Sequence, residues 1–201
     1  ASISATNAEQ SRILIEFDIN NMLADISAGT VPSSSVDYVL RMFNCPHAQT
    51  TPLSYSLDVS MVKTNGWQEG SGLDMENYSD LGESNWIYAD SSTAWNLEGG
   101  DYYGVGSNAV TVHSSSYFMT GGVEDLNLNI NFAMDNWRTN STTYPNYGII
   151  LKHTDPVISG TAGTYYTKKF FGRTSQFFLS RPCIEARWDS GREDNRGNFA
   201  V

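Results

Sequence analysis

Between Leu53 and Val62 the chain alternates apolar and polar residues with little interruption. Leu53, Tyr55, Leu57, Val59 and Met61 fall on one side, and Ser54, Ser56, Asp58 and Ser60 on the other. A period of two marks an extended strand with one dry and one wet face, because successive side chains leave opposite sides of the backbone. The same pattern recurs along the chain. Arg12 to Ile19 aligns Ile13, Ile15, Phe17 and Ile19. Val36 to Phe43 aligns Val36, Tyr38, Leu40 and Met42. Leu126 to Phe132 alternates Leu126, Leu128, Ile130 and Phe132 with asparagines. Tyr147 to His153, Tyr165 to Phe171 and Pro182 to Trp188 read as further strands, with shorter ones at Val110-Thr-Val-His113 and Phe177-Phe-Leu179.

One-sided strands joined by Gly, Ser, Asn and Pro imply antiparallel sheets packed face to face. The predicted fold class is all-β, an antiparallel β-sandwich of jelly-roll type. A turn or two of helix is expected only at Phe132-Ala-Met-Asp-Asn-Trp137, ended by Asn140-Ser-Thr-Thr-Tyr-Pro145. With no linker or internal repeat, residues 1–201 read as a single domain.

The segment from Asn65 to Asp101 breaks the pattern. It is dense in Trp, Asp, Glu and Gly, and loops of that length in a compact domain are usually functional or disordered. Trp67, Trp86 and Trp95, with Tyr78 and Tyr88, argue for order. The expectation is an excursion across one side of the sandwich, pinned by aromatic rings. The three tryptophans are also binding candidates, as stacking platforms for a glycan. Clamping the loop, with each ring nitrogen bonded to a backbone carbonyl, is the favoured role.

Charge is segregated. Between Gly66 and Trp137 there are eleven carboxylates and no lysine or arginine, whereas seven of the twelve basic residues follow Thr167. A formal charge of −10 argues against nucleic acid, which is bound by clustered lysine and arginine. The basic end carries Arg187, Arg192 and Arg196 among Glu185, Asp189, Glu193 and Asp194. It is either a solvated extension or an arm that meets acidic surface on a neighbouring copy. No apolar stretch approaches the ~20 residues that span a bilayer, so membrane insertion is not expected. The opening residues lack the basic and apolar regions of a signal peptide.

Nucleophilic or phosphoryl chemistry has no visible apparatus, and the carboxylates that could pair for glycoside hydrolysis are equally those of an acidic surface. His47, His113 and His153 share no spacing, and there is neither a Gly-x-Ser-x-Gly elbow nor a phosphate-cradling Gly-x-x-x-x-Gly-Lys loop. Asp74, Glu76, Asp80 and Asp101 are candidate ligands for a structural calcium ion, which takes hard oxygen donors. A solvated acidic loop is the favoured alternative. Cys45 and Cys183 are too few for a disulfide framework and are expected as buried thiols.

The order of the pieces resembles a known pattern. It runs Arg12-Ile-Leu-Ile-Glu-Phe-Asp-Ile19, Leu40-Arg-Met-Phe43, Trp67-Gln-Glu-Gly70, Asn85-Trp86, and Trp95 with Gly99-Gly-Asp101. It continues through Asp125-Leu to Ile130, Trp137, Asn146-Tyr-Gly-Ile149 and Lys169-Phe-Phe-Gly-Arg173 to Pro182-Cys-Ile-Glu185. This is similar to the DNRLRE-type sandwich family, which resembles carbohydrate-binding modules and is mostly non-catalytic and extracellular. It is closer still to structural proteins of marine tailed phages, and that likeness implies a chain continuing beyond Val201.

The resemblance implies a non-enzymatic virion protein, on the capsid surface or in the tail and baseplate, assembled in the host cytoplasm. Its partners would be copies of itself and other virion proteins. The alternative is a carbohydrate-binding adhesin module acting on host-surface glycan. Arg173 and Glu69 are expected as framework residues, the Arg173 guanidinium pairing with a carboxylate or with carbonyls of the long loop. The other charged side chains from Lys168 to Arg187 are expected to be more exposed than Arg173.

Overall fold

Two antiparallel sheets share one apolar core. A computed structural model of the chain describes residues 11–70, 83–104, 113–154 and 167–189. The first sheet has the order β1-β6-β3-β4, with β1 at Ile13–Ile15, β3 at Tyr55–Met61, β4 at Ser114–Met119 and β6 at Ile149–His153. The second has the order β5-β2-β7, with β2 at Asp37–Met42, β5 at Leu126–Asn129 and β7 at Cys183–Arg187. Among the described residues all five strand pairings are antiparallel.

The alternation explains which side chains meet. Tyr55, Leu57, Val59 and Met61 of β3 join Ile149 and Leu151 of β6 and Met119 of β4 in the core. From the other sheet come Tyr38, Leu40 and Met42 of β2 and Leu126 and Leu128 of β5, with Asn127 and Asn129 turned outward. Burying these aliphatic side chains is the main favourable term in folding, about 1.5–3 kcal/mol for each that is fully removed from water.

Helix α1, Asn20–Ser27, was not expected. Ile19, Met22, Leu23 and Ile26 lie at the i, i+3, i+4, i+7 spacing of an amphipathic helix and pack on the core. The Asp18 carboxylate accepts the Asn20 amide at its start, and Gly29, at φ +77°, ends it. Helix α2, Asn131–Thr139, follows β5 directly and buries Ala133, Met134, Asn136 and Trp137. The Asn131 side chain ties it to β2, accepting from the Tyr38 amide at 2.7 Å and donating to the Val36 carbonyl at 3.2 Å.

Several expected strands differ. The strand predicted for Arg12 to Ile19 is confined to β1, and Leu53 lies outside β3 and is 81% exposed. From Thr167 to Phe171 there is only an isolated bridge, Asn44 with Phe170. Phe177-Phe-Leu179 is no strand. Phe178–Ser180 form a 3-10 turn, closed by the Phe177 and Phe178 carbonyls accepting from the Ser180 and Arg181 amides. Of the short strand predicted at Val110 to His113, residues 110–112 lie outside the described ones, and the strand found nearby is the serine-rich β4. Pairing supports β4 rather than composition: Ser114 to Met119 face Ser60 to Tyr55 in register, and the Ser116 hydroxyl donates to Asp58. Cys45 and Cys183 are free thiols, only half-buried rather than fully so.

Candidate functional site

The outer face of the first sheet carries a second, smaller apolar cluster. Val62, Tyr102 and Ile150 are buried there, with Leu14, Trp67 and Tyr147 packed against them. Residues on both sides of the undescribed stretch 71–82 therefore lie across this face, as the aromatic composition of the excursion suggested.

Each tryptophan has a defined place. The Trp67 ring nitrogen donates to the Tyr147 carbonyl at 2.9 Å, and the buried Trp95 ring nitrogen donates to the Asn85 carbonyl at 2.9 Å. Trp86 is covered by the Arg12 guanidinium, 4.8 Å from its ring centre, while Tyr102 stands 5.5 Å away on the same cation. Arg12 also donates to the Gly99 carbonyl at 2.8 Å. Gly99, at φ +85°, is required here: a Cβ would stand 2.8 Å from both the Arg12 guanidinium carbon and the Trp86 ring. Attraction between a cation and the negative face of an aromatic ring holds this stack together.

Asp101 organises the end of the excursion. One carboxylate oxygen accepts the Thr64 hydroxyl at 2.7 Å, the Asn96 amide at 3.0 Å and the Asn96 side chain at 2.8 Å; the other accepts the Leu97 amide at 2.8 Å. Burial pushes its pKa up, but the donors from Asn96, Thr64 and Leu97 together outweigh it and hold the group below the ordinary carboxylate range. Asp101 is thus a loop-organising acceptor. The other calcium candidates, Asp74, Glu76 and Asp80, lie outside the described residues. Among the described residues no group of three or more His, Cys, Asp or Glu is placed to hold a metal ion.

The late charged residues are distributed differently from expectation. Arg173 donates through Nε to both oxygens of Glu69, at 2.8 and 2.6 Å, so the pair joins the late segment to the excursion. Yet the Arg173 side chain is 74% exposed. Lys168 is more enclosed than Arg173, which reverses the expected order. Its ammonium donates to the Asn44 side chain at 2.8 Å and to the Glu124 and Gly122 carbonyls at 2.7 and 3.2 Å, and burial lowers its pKa. The acceptors stand on two loops, Asn44 after β2 and Gly122 and Glu124 between β4 and β5, and together they draw the ammonium inward. Arg187 pairs with Glu185 on its own strand at 2.6 Å, and the other Glu185 oxygen accepts from Arg41 at 2.6 Å. Arg192 and Arg196 lie outside the described residues.

A cleft of about 350 Å³ opens between the two sheets. One wall is the edge strand β1, continuing to Glu16; Trp67, Glu69 and Arg173 form another, and Met42, Phe170, Phe171 and Pro182 complete it. Phe171 meets Phe177 edge to face at 5.8 Å, and Phe177, Phe178 and Leu179 are 56%, 73% and 85% exposed. The apolar surface therefore runs unbroken from the cleft onto a protruding turn. The roles of Arg12, Glu16, Lys168 and this turn were missed from sequence. The run Phe177-Phe-Leu179 among polar neighbours was the available signal.

The chain matches no family model, no curated protein and no solved structure.

Proposed function

We propose that this chain is a non-enzymatic structural component of a tailed-phage particle, on the capsid surface or in the tail and baseplate, built on a β-sandwich of jelly-roll type. It associates with copies of itself or docks on a shell protein. The observation that carries this reading is the exposed turn Phe177-Phe178-Leu179 beside an open apolar cleft. Contiguous apolar surface of this kind marks an interaction site, since leaving it in water is unfavourable. The sequence resemblance to phage structural proteins and the DNRLRE-type sandwich supports the same conclusion. So does a core shared by two antiparallel sheets, as a sandwich has.

A glycan-binding module has less support. Stacking needs an open ring face, whereas Trp95 is buried and Trp86 lies beneath Arg12. Mass-spectrometric inventory of purified particles, with antibody labelling of intact virions, tests the proposal. Stoichiometric recovery is expected. Peptides found only in the lysate and never with particles would refute it, and selective glycan-array binding would favour the adhesin alternative.

A further inference from the structure

The apolar turn and the cleft lie side by side on one molecule, joined by the contact of Phe171 with Phe177. Phe178 and Leu179 are 73% and 85% exposed, while the cleft along β1 encloses about 350 Å³. A surface that carries a projection next to a matching recess is self-complementary. When two copies meet about a two-fold axis, each projection enters the other copy's recess.

Charge placement agrees. Glu16 lines the cleft, is exposed to solvent there and, among the described residues, has no ion-pair or hydrogen-bond partner; partial burial along the wall raises its pKa. Arg173 stands on the same rim and is tethered to Glu69 only through Nε. Among the described residues its two terminal guanidinium nitrogens make no hydrogen bond, so a two-pronged donor is directed outward. Across a two-fold axis, that fork is the group that a second copy's Glu16 lacks.

We infer that this chain forms a symmetric homodimer in which the Phe178–Leu179 turn of each copy fills the β1 cleft of the other and Arg173 meets the second copy's Glu16. The inference deepens the assembly reading above and rests on it, by naming the surface and its occupant. The dry centre supplies affinity, and the reciprocal ion pairs at the rim fix orientation.

Sedimentation velocity of the purified chain across a dilution series tests this. The wild type is expected to dimerise. Leu179→Asp and Glu16→Arg should each weaken dimerisation by about tenfold or more, as loss of a central anchor or a reversed charge does. Phe118→Asp, on the exposed face of β4 at the opposite edge of the sheet, should leave it unchanged. Circular dichroism and thermal midpoints of all variants confirm that they are folded.

A wild type that stays monomeric overturns the inference. So do dimers that persist in both Leu179→Asp and Glu16→Arg, and open-ended oligomers, which indicate a head-to-tail contact. These results speak only to the surface, because presence in the particle is read separately from the virion inventory.

Discussion

Arg12 and Trp86, brought together by the fold, form a cation–π contact at 4.8 Å, at the point where the excursion crosses the outer face of the first sheet. The contact links β1's entry to the excursion, far away in sequence, and Gly99 makes room for it. A double-mutant cycle on Arg12→Ala and Trp86→Ala is expected to give a favourable coupling of about 1 kcal/mol by urea denaturation. Strict additivity would show that the two groups are merely adjacent.

Asp101→Asn keeps the shape of the side chain but sets an amide donor against the donors that now converge on it. The expected loss is about 2–3 kcal/mol at neutral pH. Because the folded-state pKa lies below the ordinary value, the carboxylate's contribution is present above the unfolded pKa and lost as pH falls through the folded one. The gap between wild type and variant should therefore narrow below about pH 4. A gap independent of pH would contradict the role given to its charge.

His153 sits 5.5 Å from the Tyr55 ring, and burial lowers its pKa. Folding thus favours the neutral ring. Stability is full above the unfolded value and declines as pH falls from about 6.5 through the folded pKa. His113, lowered by burial and then by Lys63, acts in the same direction. Thermal midpoints should begin to fall near that pH, well above the carboxylate range, and less steeply in His153→Leu. Parallel pH profiles for wild type and variant would rule out this titration.

Lys168→Met removes the donor shared by the Asn44 side chain and the Gly122 and Glu124 carbonyls. Leaving half-buried acceptors unpaired should cost about 2–3 kcal/mol, offset only partly by the apolar replacement. Lys169→Met, at an exposed position, should change stability by less than about 0.5 kcal/mol. Equal effects of the two substitutions in chemical denaturation would mean that the three acceptors find other partners.

The sequence alone determined the strands that carry their own evidence. Tyr55 to Met61 and Leu126 to Asn129 alternate so regularly that their apolar side chains all fall on one face, and a one-residue shift would turn every one of them the wrong way. In Asp37 to Met42 the same face takes Tyr38, Leu40 and Met42, while Val39 is buried on the other. The ring of Trp95 was likewise legible as a group in need of a partner, because a large aromatic side chain in a long loop has to be covered and its ring nitrogen bonded. Helix α1 had a readable signal, Ile19, Met22, Leu23 and Ile26 at helical spacing, but a β alternation through Ile19 competed with it over the same residues.

Tertiary structure alone decided the rest. Ser114 to Met119 has little strand character of its own and becomes β4 only because β3 supplies a hydrogen-bonding edge. Phe177 to Leu179 has strand composition yet stands exposed, and Phe178–Ser180 close into a 3-10 turn that local composition did not signal. Arg12 over Trp86, Lys168 between two loops and Glu16 in the cleft are placed by residues far away along the chain. Local sequence records which groups need a partner, whereas the fold determines which groups stand close enough to be one.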